Sequence, residues 1–166
     1  VDYLKDRRAL SDLAATTVYT GRLDAFYDGC FGSLDYRSLR FEHQRLEVDD
    51  HQGVAVVNYP DRDIPFTRII EHRHFAEAEH RDTHGTVITR EYPAAFENGA
   101  EAYYPVNDAA SMARLERYRK RADAEPSTLF GGRLADYRYY DMDDAVAAAL
   151  ALYGKHKEAR GKERCR

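Results

Sequence analysis

The stretch FTRIIEHRHF, Phe66 to Phe75, alternates in a way that decides the fold class. Period two sets Arg68, Ile70, His72 and His74 on one side of a strand, and Thr67, Ile69, Glu71 and Arg73 on the other. Working outward, the same alternation recurs from Leu39 to Tyr104, with strands predicted over 39–48, 54–59, 66–75, 86–92 and 101–104. Short polar turns separate them, at Asp49-Asp50, Pro60-Asp61, Asp82 to Gly85 and Asn98-Gly99. Strands this close together, joined by turns this short, pair antiparallel.

Helix–strand pieces flank this meander. Residues 6–16 read as a helix with Leu10 and Leu13 on one face, followed by a strand at Thr17-Val18-Tyr19 and a short helix around Leu23 to Tyr27. Beyond the sheet, Asp108 can cap a helix over 109–124 that carries Met112, Leu115, Tyr118 and Ala122 on one stripe. A strand over 127–130 and a helix from about 142 to 153 complete the pattern. After Gly154 the chain is Lys/Arg-rich without an apolar stripe, and reads as a solvated, frayed end. The expected fold is α+β: a largely antiparallel sheet of five to six strands inserted in an α/β framework. The framework occupies 1–38 and 107–153, the sheet 39–106 and the tail 154–166.

Composition narrows the function. At 43 % hydrophobic the chain can bury a core, yet no apolar run approaches the roughly 18 residues of a spanning helix. The start, Val1 to Asp6, lacks the basic and apolar regions of a signal peptide. A net charge of −4 argues against a general nucleic-acid binder. Cys30 and Cys165 are the only cysteines, so no disulfide framework is expected, and a reducing, cytoplasmic compartment is.

Several chemistries have no motif. The sequence contains no G-x-S-x-G, no P-loop and no G-x-G-x-x-G. His72 and His74 could share an ion from one strand face, with His80 and His84 following, but no supporting ligand motif accompanies them. No metal site is expected; these histidines read as hydrogen-bonding and solvated groups. Asp141, Asp143 and Asp144 stand at a helix start, where capping is their ordinary role. What recurs is arginine with tyrosine at strand ends: Arg37, Arg68, Tyr103-Tyr104, Arg133, Arg138 and Tyr139. Guanidinium for phosphate, hydroxyls for its oxygens and rings for stacking suit an anionic ligand that contains a sugar. The crowding is greatest in GGRLADYRYYDMDDAVAAAL, Gly131 to Leu150, where a plain strand-to-helix turn would need only a turn and a cap.

The motifs VYTGRLDAFYD, FGSLDYRSLRFE, VVNYPDRDIPFTRIIEHRHF, TVITREYP, YYPVND and FGGRLADYRYYDMDDAVAAAL follow one another in an order that resembles UDP-galactopyranose mutase, over roughly residues 1–153. The resemblance implies a cytoplasmic FAD-dependent isomerase of galactofuranose and cell-wall polysaccharide biosynthesis. Its partners are UDP-galactopyranose and UDP-galactofuranose, interconverted through a covalent adduct of the sugar with N5 of reduced flavin. It implies that this chain is the C-terminal part: the sheet domain plus the closing remnant of the FAD-binding domain. Such a part is expected to be inactive alone and not to retain FAD, and the resemblance leaves a homodimer open for the parent. By the matching motifs, Arg68 of PFTR is the catalytic arginine on the diphosphate, with Arg37, Tyr104 and Tyr139 also binding substrate. Arg133 contacts the flavin, with Asp141 and Met142 beside it. Two departures are Arg22, where the family commonly has Pro after YTG, and Phe66, where it commonly has Tyr. The family's lid arginine has no counterpart here. Read without the resemblance, the same residues also fit a non-catalytic sheet module that binds nucleotide sugars or other anions.

Overall fold

The central alternation forms an antiparallel sheet, though not the meander expected, since β2 pairs with β5, in a computed structural model that describes residues 2–75, 84–97 and 99–163. His80, Asn98 and Cys165 lie outside the described residues. In chain order the elements are α1 (Arg7–Ser11), β1 (Thr17–Tyr19), α2 (Leu23–Phe26), β2 (Tyr36–Leu46), β3 (Val56–Asn58) and β4 (Arg68–Glu71). A single 3₁₀ turn (His72–Phe75) precedes β5 (Thr86–Ala95), β6 (Tyr104–Pro105), α3 (Ala109–Ala122), β7 (Thr128–Phe130) and α4 (Met142–Glu163). The chain divides into two compact units, one of residues 1–36 with 104–166, the other of 37–103.

The first unit holds the helices and a two-stranded parallel sheet. Strands β1 and β7 pair in register, Thr17 with Thr128 and Tyr19 with Phe130. Leu23, Phe26, Leu34, Leu115 and Tyr118 are buried around them, and the Phe26 and Phe130 rings meet edge to face at 4.7 Å. The buried Asp24 carboxylate accepts the Leu34 N–H at 3.1 Å and lies 3.3 Å from Arg22 Nε. Helix α3 starts at its expected cap, the Asp108 carboxylate accepting the Ser111 N–H at 2.6 Å. Its buried stripe is Ser111, Leu115 and Tyr118; Met112, assigned to that stripe from sequence, is exposed.

The five-stranded sheet has the order β3-β4-β5-β2-β6. Its long arms are β2 and β5, paired antiparallel from Arg37 opposite Ala95 to Leu46 opposite Thr86. β4 pairs with β5 on its outer side, Arg68 opposite Glu91, and β3 with β4, Asn58 opposite Arg68. Ile69, Ile88 and the Glu71 side chain form the buried centre of the second unit.

Most strand ends shift by a few residues from the sequence reading, and three elements differ more. The strand predicted over 66–75 ends at Glu71, because pairing with β5 stops at Ile88 and the chain winds into the 3₁₀ turn. The helix predicted over 6–16 is one short turn, with Leu13 exposed. α4 runs through Gly154 and Gly161 to Glu163, where a frayed tail was expected from 154. A glycine inside a helix costs only about 1 kcal/mol relative to alanine, too little to stop a helix whose neighbours favour it.

Candidate functional site

In the first unit the chain leaves β7 through Gly131-Gly132. The Gly131 N–H continues the parallel ladder onto the Tyr19 carbonyl at 3.2 Å. Gly132 then takes φ +90°, a conformation L side chains rarely adopt. Asp136 closes the turn from within: its carboxylate accepts the Gly132 N–H at 3.2 Å and the Tyr140 hydroxyl at 2.9 Å. The Asp136 carbonyl accepts from Arg119 of α3.

Tyr137 fixes the rest of the loop. It is buried at a φ of +51°, rare for a bulky residue. Its hydroxyl proton lies between the carbonyls of Asp35 and Val106, and its oxygen accepts the Val106 N–H at 3.2 Å. Burial pushes its phenol above the usual range despite hydrogen bonds that favour ionisation. Nothing in the sequence singles out Tyr137; a tyrosine's positive φ leaves no trace in spacing or composition.

That anchor has a visible consequence. Tyr139, two residues on, stacks on Tyr104 of β6 with centroids 5.8 Å apart and planes at 24°. The Arg133 guanidinium lies 5.9 Å from the Tyr104 centroid and 5.7 Å from that of Tyr139. Arg133 and Tyr139 are exposed and Tyr104 half-buried, so a cation and two phenols share one surface. Asp141 and Met142 follow at the start of α4, both exposed, Met142 at 89 %. The first unit thus brings Tyr104, Arg133 and Tyr139 together and sets Asp141 and Met142 on the adjoining helix start.

In the second unit Arg68 stands between two neighbours in line across three strands. Its Nε donates to Asn58 Oδ1 at 3.2 Å and lies 3.6 Å from Glu91 Oε2. Among the described residues both contacts fall on Nε. The side chain is 41 % exposed and that of Glu91 only 10 %, so a mostly buried carboxylate orients a half-exposed cation. Asn58 and Glu91 escaped the sequence reading because strand register places them there. Arg37 lies on the same face of this sheet, since Ala95 and Glu91, the β5 partners of Arg37 and Arg68, have the same parity. Four residues and two strand spacings separate the two arginines, roughly 14 Å along and 10 Å across, so they do not form one grip. His72, expected beside His74, turns to Thr89 with Nε2 2.6 Å from its Oγ1.

Comparison with known proteins decides what this surface belongs to. Residues 1–139 match the profile of UDP-galactopyranose mutase. The chain belongs to that family. It is 43 % identical over 136 residues to a probable UDP-galactopyranose mutase of Klebsiella pneumoniae, covering 82 % of this chain and 35 % of that protein. To the UDP-galactopyranose mutase of Mycoplasma pneumoniae it is 41 % identical over 138 residues, 81 % of this chain and 34 % of the relative. To a dTDP-fucopyranose mutase of Escherichia coli it is 39 % identical over 132 residues, 80 % of this chain and 34 % of the relative. The chain spans about a third of the length of these mutases. Among the described residues no helix is long and apolar enough to cross a membrane.

Proposed function

We propose that these residues serve a mutase that interconverts UDP-galactopyranose and UDP-galactofuranose, and that the first unit is the closing part of its FAD-binding domain. The observation that carries this reading is the joining of Arg133, Tyr104 and Tyr139 on one exposed surface beside the start of α4, in a chain of this family.

The residues fit a flavin. Gly132 at φ +90° offers backbone without a side chain, and Arg133, Asp141 and Met142 are exposed next to it. They would hold FAD, with the positive end of the 22-residue α4 close by. When bound, reduced FAD would supply the electron pair that takes up the anomeric carbon as the nucleotide leaves. The chain's own contribution is to the diphosphate. The Tyr104 and Tyr139 hydroxyls donate to its oxygens, their orientation set by the stack and by Tyr137. Arg68 has Nε held by Asn58 and Glu91, which leaves its terminal nitrogens for a bidentate grip on phosphate. As the sugar–phosphate bond breaks, charge grows on the leaving oxygen and that interaction strengthens. Arg37 adds a second cation on the same sheet face.

Assayed as such, the 166 residues should show no mutase turnover and should not retain flavin absorbance, because no glycine loop in them receives the cofactor's pyrophosphate. The test of the reading is turnover by the intact enzyme, reduced with dithionite, of UDP-galactopyranose and dTDP-fucopyranose side by side. The second substrate is included because one relative bears that name. Preference for the UDP sugar supports the reading, preference for dTDP-fucopyranose replaces the substrate, and turnover of neither leaves a non-catalytic nucleotide-sugar module.

A further inference from the structure

β4 ends at Glu71 and the 3₁₀ turn follows at once. The turn brings His74 back to within 3.4 Å of the Glu71 carboxylate, while His72 is directed to Thr89. The Glu71 side chain is fully buried, its two oxygens accepting the N–H groups of His51 at 3.0 Å and Gln52 at 2.9 Å. The same loop presents Asp50, whose Oδ1 accepts the Gly53 N–H at 2.6 Å. Between the two carboxylates lies Nε2 of His74. This nitrogen is buried, makes no hydrogen bond of normal geometry among the described residues, and lies 3.4 Å from both Asp50 Oδ1 and Glu71 Oε2.

We propose that Asp50, Glu71 and His74 bind a divalent transition-metal ion, zinc by the chemistry of the donor set. The distances carry the argument. At 3.4 Å the contacts exceed the 2.7–3.2 Å typical of N–H···O hydrogen bonds. They match the edge of a tetrahedron whose centre lies about 2.1 Å from nitrogen and oxygen ligands, an edge of about 3.4 Å. The three ligand atoms all lie within 4.8 Å of one another. One imidazole with two carboxylates suits zinc, leaving the fourth position for water. The backbone N–H groups of His51, Gln52 and Gly53 act as the outer partners that hold metal-binding carboxylates in place. The ion would tie the 50–53 loop to the end of β4. The site lies within the second unit and uses none of the residues assigned to the nucleotide sugar, so it stands or falls separately.

The test is zinc titration of the whole chelator-stripped chain against a chromophoric chelator. The host carries Cys30→Ser and Cys165→Ser, so that thiols take no part. One equivalent should bind, and zinc should raise the thermal midpoint. His74→Ala and Asp50→Asn should each weaken binding at least tenfold with an unchanged circular dichroism spectrum, and exposed His84→Ala should leave it unchanged. Cobalt should give the intense visible bands of a low-coordinate site in the host and not in His74→Ala. A host that binds no zinc stoichiometrically, or His74→Ala and Asp50→Asn chains that bind it as the host does, would overturn the site.

Discussion

The rings of Tyr104 and Tyr139 lie stacked at 5.8 Å, one from a two-residue strand and the other from the loop after β7. Neither position is held by the stack alone. Tyr104 sits on β6, two residues before Val106, whose N–H and carbonyl both engage the Tyr137 hydroxyl, and Tyr139 follows Tyr137 by two residues. One buried phenol therefore helps set the spacing of a half-buried and an exposed one.

The stack predicts coupling in the intact enzyme. Tyr139→Phe removes one hydroxyl and should weaken UDP binding by about tenfold, corresponding to roughly 1–1.5 kcal/mol. Tyr139→Ala also removes the ring that orients Tyr104. A double-mutant cycle with Tyr104→Ala, read by calorimetric UDP titration, should give a coupling of about 0.5–1.5 kcal/mol. Strict additivity would show that the two phenols act independently.

Tyr137→Phe keeps the ring and takes the hydroxyl from the Val106 carbonyl, while the Val106 N–H and the Asp35 carbonyl keep their own hydrogen bond at 2.9 Å. The expected cost is about 1–3 kcal/mol of stability, seen as a lower denaturant midpoint with an unchanged slope. A change within a few tenths of a kcal/mol would mean that solvent replaces the lost hydroxyl and that the anchor is weak.

The sheet and α3 were legible because their signals are local. Alternation marks strand faces whatever the strands pair with, and Asp108 three residues before Ser111 is a cap in any context. The sequence also showed arginine and tyrosine collected at strand ends, and the family motifs assigned roles to Arg68, Tyr104, Arg133 and Tyr139. What it could not show depends on the tertiary fold. Glu91 reaches Arg68 only through the β4–β5 register, and Tyr137 reaches Asp35 only because the loop turns back. The misreading of 66–75 has a sharper cause. Period two makes His72 and His74 neighbours, whereas the bend after Glu71 brings His74 within 3.4 Å of the Glu71 carboxylate.

Glu71 predicts acid sensitivity. Burial alone would raise its pKa, but the His51 and Gln52 N–H groups and Thr86 outweigh this and hold it below the usual carboxylate range. A carboxyl depressed in the folded state contributes stability above its unfolded pKa, about 4.3, and loses it as pH falls through the folded value. The unfolding free energy should therefore decline below about pH 4, measured by urea unfolding across pH. Glu71→Gln should be less stable at neutral pH, by on the order of 1–3 kcal/mol, and less steep in acid. Parallel pH profiles for the two chains would remove Glu71 as a cause.

Arg68 bears the strongest prediction for the proposed mechanism. Its guanidinium faces a diphosphate whose charge grows as the UDP bond breaks, so its loss should lower kcat as well as raise KM. Loss of one such donor typically costs about 3–4 kcal/mol, a hundred- to thousandfold in rate. Arg68→Lys should recover part of this, keeping the charge but losing the planar fork. Glu91→Gln separates orientation from charge: it leaves Arg68 in place and removes the carboxylate 3.6 Å from its Nε. It should lower kcat less than Arg68→Ala does, and nothing further should be lost when it is added to Arg68→Ala. Arg133→Ala should act instead on the cofactor, as weaker FAD retention or a shifted reduction potential. Steady-state kinetics on dithionite-reduced intact enzyme, with flavin content measured for each variant, distinguishes these outcomes. Near-normal turnover in Arg68→Ala would make the arginine a structural partner of Glu91 and Asn58 and would end the diphosphate assignment.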